Sequence, residues 1–210
     1  MRTRDHFSAI SHLLGAILSV VGMVVLIVMA ARQHLVWHVV GFSVFGASVI
    51  LLYAASATYH FLHISSRAKK VFKRLDHSFI YVLIAGTFTP LCLTVLRGPW
   101  GWSLLGVIWA CAIAGIIMKN VWQMPAVLST LLYIGMGWLA LVPIVPLYRA
   151  LPLTALAWLF FGGILYTLGT VFYGLDRKYP SHRWFNMHDL FHLFVMGGSL
   201  SHFVVMFSLV

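Results

Sequence analysis

The stretch Met187-His188-Asp189-Leu190-Phe191-His192-Leu193-Phe194-Val195 sets two histidines four residues apart at the mouth of a long apolar run. On a helix, positions i and i+4 share a face, with Cβ atoms about 6 Å apart. Two imidazoles so placed can take two positions on one metal ion. The run itself, 187–209, is long enough to cross a hydrocarbon core of about 30 Å. Six comparable runs precede it, and that repetition decides the fold.

Only 9% of the residues are charged, where a soluble domain carries roughly 25%. With 61% hydrophobic residues and a mean hydropathy of +0.96, the composition is that of a polytopic membrane protein. We expect an all-α, seven-helix transmembrane bundle forming one domain over 1–210. The expected spans are 8–31, 37–63, 75–96, 102–118, 125–147, 152–174 and 187–209. The first is too long for a signal-peptide core and is read as retained. Pro90, Pro143 and Pro146 are expected to kink or end their helices. Gly135, Gly137, Gly162, Gly163, Gly197 and Gly198 are expected to let helices approach closely.

The formal charge of +10 sits in short clusters between apolar runs, which points to topology and anionic headgroups rather than nucleic acid. Arg2, Arg4, Arg67, Lys69, Lys70, Lys73, Arg74, Lys119, Arg177, Lys178 and Arg183 fall on one side of the alternating spans. Arg32, Arg97 and Arg149 fall on the other. The positive-inside rule then puts the N-terminus in the cytosol and the C-terminus outside. Trp37, Trp100, Trp102, Trp122 and Trp184, near span ends, read as an interfacial belt. Cys92 and Cys111 give neither a disulfide framework nor a metal spacing.

The chain contains no glutamate; its acids are Asp5, Asp76, Asp176 and Asp189. Acid–base chemistry must therefore use Asp, His or a metal. The alternation of spans brings three polar turns to one depth: Ser56-Ala57-Thr58-Tyr59-His60, Asp76-His77-Ser78, and His188 with His192. The expected site is zinc on His60, His188 and His192, since three protein ligands leave a fourth position open for water. Zinc lowers the pKa of bound water to about 7 and polarises a carbonyl. Asp76 would orient that water, and Ser56 would donate to it or to a developing oxyanion. The implied chemistry is hydrolysis of a lipid amide or ester.

Other readings stand beside these. Asp76 also reads as an ion-pair partner of Lys73 or Arg74, and Ser56 as bonded to a carbonyl one turn back. His63 and His77 neighbour the expected ligands and read as interfacial or as substitutes. His182 reads as a loop residue, and His12 and His202 as bonding across helices. Asp189 lies off the His188/His192 face and suits the helix N-terminus. Rival classes lack their residues. A retinal protein needs a lysine in the last span, a zincin needs HExxH, and a di-iron desaturase needs several histidine boxes. A diheme cytochrome needs a second helix with the fourteen-residue spacing of His188 and His202; His63 and His77 match it in number, but the cationic 67–74 segment interrupts them.

The segments Ser56 to His60, Leu75-Asp76-His77-Ser78-Phe79-Ile80-Tyr81 running on to Pro90, and His188 to His192 running on to His202 resemble the bacterial hemolysin III family. This is the prokaryotic branch of the progestin and adiponectin receptor group. The same elements are similar to those of alkaline ceramidase-like membrane hydrolases. The resemblance spans nearly the whole chain. It implies seven spans, a cytosolic N-terminus, a bacterial inner-membrane location and zinc near the cytosolic leaflet. It also implies His60, His188 and His192 as ligands, with Ser56 and Asp76 beside them and a membrane lipid as substrate or ligand. A role in membrane-lipid homeostasis fits the bacterial relatives. The alternatives are a seven-span sensor or channel-like protein with structural zinc, and the pore-forming cytolysin of the family name.

Overall fold

The computed structural model describes residues 6–61, 65–176 and 186–210. Arg2, Arg4, Asp5, His63, Arg177, Lys178, His182, Arg183 and Trp184, which figure in the readings above, lie outside them. The described residues form helices α1 (His6–Arg32), α2 (Val36–Phe61), α3 (Ser66–Leu93), α4 (Pro99–Asn120), α5 (Ala126–Gly137), α6 (Ile144–Ala150), α7 (Leu153–Asp176) and α8 (Met187–Phe207), with a 3-10 turn, Trp138–Leu141, between α5 and α6. No strand occurs among them. Six helices, α1 to α4, α7 and α8, are long and apolar enough to cross a membrane, and α5 and α6 meet the same condition taken together.

The pattern on α1 explains the packing. Its buried residues are mostly small or polar, Ser8, Ala9, Ser11, His12, Gly15 and Ala16, and recur every three to four positions. Ile10, Leu14, Ile17, Leu18 and Val21 point outward and are about half exposed. Small and polar residues facing the bundle, with large aliphatic ones facing out, is the arrangement of a helix bathed in lipid. α1 packs on α2, α2 on α3, α3 on α4 and α7 on α8, and α1 closes against α8. Phe42, Leu26, Tyr81, Ile108 and Met206 are fully buried between them.

Two expectations are corrected. The third helix begins not at 75 but at Ser66, so the cationic stretch 67–74 is helical. Ser65 starts it by accepting the Ala68 amide at 3.3 Å, and Lys and Arg are good helix formers. The stretch 125–147 breaks as expected at Pro143, where α5 and α6 meet at a 54° bend, but not at Pro146. Pro143 caps α6 and, lacking an amide hydrogen, cannot continue the ladder from α5. Pro146 sits in the first turn of α6, where that hydrogen has no intrahelical acceptor, and ends nothing. Pro90 lies inside α3, which ends three residues later at Leu93.

Close helix approach holds for only some of the expected glycines. At Gly162 a Cβ would fall 2.6 Å from Nε2 of His202 and 3.2 Å from the Gly198 carbonyl. Gly135, Gly137 and Gly163 have nothing within 4 Å. Around Trp37 the belt expectation acquires contacts: the Arg97 guanidinium lies 4.6 Å from its ring centroid, and Trp102 packs edge-on at 5.8 Å.

Candidate metal centre

The last helix starts at a defined point. Asn186 accepts the Asp189 amide at 2.8 Å, and the Asp189 carboxylate accepts the Asn186 amide at 3.0 Å, a reciprocal capping box. The other oxygen of Asp189 accepts the Ser8 hydroxyl at 2.8 Å. Asp189 is thus buried, bonded at the helix N-terminus as its position suggested, and tied to α1. That lock fixes where the first turn of α8 sits, and with it His188 and His192. Ser8→Ala is expected to destabilise the protein by about 1–3 kcal/mol, because it leaves a buried carboxylate oxygen short of a donor. Thermal unfolding of the detergent-solubilised protein measures it; an unchanged midpoint would refute the lock.

Against this turn comes the end of α2. Nε2 of His188 lies 3.3 Å from Nε2 of His60 and 3.2 Å from Nε2 of His192. All three nitrogens fall within 4.8 Å of one another, a group that could hold a metal ion. The fit is chemical as well as geometric. A tetrahedral ion with bonds of about 2.0–2.1 Å separates its ligand atoms by about 3.3–3.4 Å, the bond length times about 1.63. A hydrogen on one Nε2 can satisfy only one such contact at a time, whereas a cation accepts all three lone pairs. His192 is 1% exposed, and His60 and His188 are half-buried.

Ser56, one turn before His60, is fully buried, and its hydroxyl is a side-chain hydrogen-bond partner of the half-buried Asp76. Lys73 acts on the same carboxylate electrostatically. Ser56, Asp76 and His188 line one cavity of about 150 Å³. On α3 its wall runs from Asp76 to Leu91, fifteen residues or about 22 Å of helix. Phe88, Ala140 and Leu159 make its far part apolar.

The remaining histidines separate. His77 faces the same cavity, but its carbonyl takes the Tyr133 hydroxyl at 2.9 Å and it is not in the three-nitrogen group. His202 does bond across helices: Nε2–H donates to the Leu159 carbonyl at 3.2 Å. His12 does not. Its ring stacks on His192, with centroids 3.8 Å apart and planes 23° apart. The readings from sequence missed this stack and the Ser8–Asp189 lock. The available signal was the four-residue spacing of Ser8 and His12 on the inward face of α1.

The sequence model of the family described as "Haemolysin-III related" matches residues 1–203. The chain belongs to that family. It is 46% identical to hemolysin-3 of Bacillus cereus over 202 residues, covering 95% of this chain and 89% of the relative. The hemolysin-3 homolog of Bacillus subtilis is 41% identical, covering 93% and 89%. More distantly, human monocyte to macrophage differentiation factor is 25% identical, over 80% of this chain and 69% of that protein. This haemolysin-III related chain is a multi-pass integral membrane protein, with apolar helices whose outer faces meet the bilayer. Among the described residues, the candidate metal group of this family member is the three-histidine cluster.

Proposed function

We propose that the protein is a zinc-dependent hydrolase of a lipid amide or ester, acting in membrane-lipid homeostasis as one seven-span domain with its N-terminus in the cytosol. The observation that carries this reading is the meeting of three convergent imidazole nitrogens with a long apolar cavity. The seven-span reading is supported by the pairing of Ser8 with Asp189, which sets the starts of α1 and α8 at the same end of the bundle. Two helices entering from one end call for an odd number of crossings in all, which supports counting the bent α5–α6 pair as a span.

His60, His188 and His192 would hold the ion. Three imidazoles suit zinc, which when bound supplies a Lewis acid to polarise a carbonyl and acidify water. Asp76 holds the attacking water, accepts its proton and passes that proton to the departing amine or alkoxide as the carbonyl re-forms. The Ser56 hydroxyl donates to the Asp76 carboxylate and orients it; once Asp76 has taken up a proton, the hydroxyl's single hydrogen is freed to donate to the oxyanion. The apolar wall takes the acyl chain and keeps bulk water away, which strengthens each of these polar contacts.

Asp76→Asn is expected to keep the metal and to lose hydrolysis by about 10²–10⁴-fold, the usual contribution of a general base. The measurement is fatty-acid release from a panel of lipid amides and esters, beside metal content of the same samples. No release by the wild type from any member of the panel would sink the hydrolase reading. So would undiminished release by the variant, for the role of Asp76.

The name hemolysin-3, carried by the two Bacillus relatives, supports a second reading, membrane lysis. It requires vesicle leakage that persists when His60, His188 and His192 are replaced, and leakage assays separate the two.

A further inference from the structure

We propose that His12 is a positioning residue of the metal centre: its ring, stacked on His192, sets the plane in which that imidazole offers Nε2 to the cation. The proposal rests on reading His60, His188 and His192 as ligands, and it adds a residue from a fourth helix, α1.

A ligand histidine needs its ring held. The lone pair of Nε2 lies in the ring plane, and the torsion that turns that plane, χ2, is a soft one. Metal-bound histidines generally fix it by donating the other ring N–H to a carbonyl or carboxylate. Nδ1 of His192 is buried, and the backbone group that faces its ring, the Ser8 carbonyl, already accepts the Ser11 hydroxyl at 3.1 Å and makes no hydrogen bond of good geometry to it. What lies against the ring instead is His12, nearly parallel at 3.8 Å.

His12 lines the cavity with Ser56 and Asp76 but makes no hydrogen bond there to a described residue. It is 3% exposed, and neither of its nitrogens has a hydrogen-bond partner among the described residues. It therefore does not tie α1 to a neighbour by hydrogen bonding. Its contacts are ring contacts: His192 on α8 and, at 4.8 Å, Tyr53 on α2. Tyr53 is in turn fixed by its hydroxyl, which donates to Ser199 of α8 at 2.7 Å. One turn earlier on α1, Ser8 holds Asp189. The stack is thus braced from both sides, and its register along α8 is set by a hydrogen bond three residues before His192.

The test titrates Co2+ into metal-stripped full-length protein in detergent and follows the visible ligand-field absorption, which reports the geometry of the bound ion. His12→Ala is expected to weaken binding by about 10–100-fold, the loss typical when a ligand's supporting partner is removed, and to change the absorption bands. His12→Phe keeps a flat ring against His192 and is expected to recover affinity to within about threefold of wild type. Thermal unfolding of the stripped proteins identifies any variant that has lost its fold. Affinity of folded His12→Ala within about twofold of wild type would overturn the proposal, and so would a folded His12→Phe as weak as His12→Ala. Wild-type protein that takes up no Co2+ would overturn the metal-site reading itself, a failure seen before any variant is examined.

Discussion

Replacing His188 with alanine is expected to strip the purified protein of its metal, from about one ion per chain to almost none. His188 is the residue to remove because its Nε2 is the one that contacts both of the others, at 3.3 and 3.2 Å. Without it, His60 and His192 remain on different helices, and two nitrogens cannot make a closed three-point site. Loss of a direct ligand should exceed the roughly 10–100-fold penalty of losing a supporting partner. Elemental analysis of wild type beside His188→Ala measures it, with His77→Ala as the control. His77 faces the same cavity but stands outside the three-nitrogen group, so its variant should keep the metal. Wild-type metal content in His188→Ala, or in a variant lacking His60, His188 and His192 together, would remove the site.

The second large effect is on the frame that holds the site. Gly41→Val is expected to cost about 3 kcal/mol, the upper range for overpacking a tight contact. A Cβ on Gly41 would fall 2.7 Å from Cα of Pro90 and 3.1 Å from its Cβ. A side chain can rotate away from such a clash, but a main-chain atom in a proline cannot. α2 would have to move off α3. Those two helices carry Ser56 and His60 on one side and Asp76 on the other, so the Ser56–Asp76 pairing should loosen as well. Unfolding of the detergent-solubilised protein gives the cost. Gly163→Val, with nothing within 4 Å of the added atom, should stay within about 0.5 kcal/mol. Equal stability of the two variants would show that the α2–α3 crossing tolerates separation.

Spacing along the chain made part of the site legible. His188 and His192 had to share a helix face, and Ser56 and His60 had to share another, because the helical period leaves no other choice. Alternation of apolar runs brought the end of α2, the start of α3 and the start of α8 to one end of the bundle, which the short His60–His188 contact bears out for α2 and α8 and the cavity shared by Ser56, Asp76 and His188 for α3. The same logic could not place His12. Its position inside a span was evident, but whether it bonded a carbonyl, like His202, or lay flat on another ring depends on the rotation of α1 about its own axis. That rotation is set by which small residues fit against α2 and α8.

Asp189 teaches the same lesson from the other direction. Its place in the first turn of α8 was readable as favourable to a helix N-terminus. Its bond to Ser8, 181 positions away, was not, since no local pattern encodes a partner on another helix. The bend between α5 and α6 is intermediate: Pro143 announced a break, but its 54° angle belongs to the surrounding packing. Composition and apolar periodicity alone determined that this chain is helical and lives in a membrane, since no other structure satisfies the backbone there apart from a closed barrel. Periodicity also paired the histidines. Only the tertiary structure decided which nitrogens meet and which ring braces them. It also joined the cluster to a 22 Å length of apolar wall along α3. Those facts follow from how helices rotate and close on one another, and the energy that sets such rotations is summed over contacts between residues far apart in the sequence.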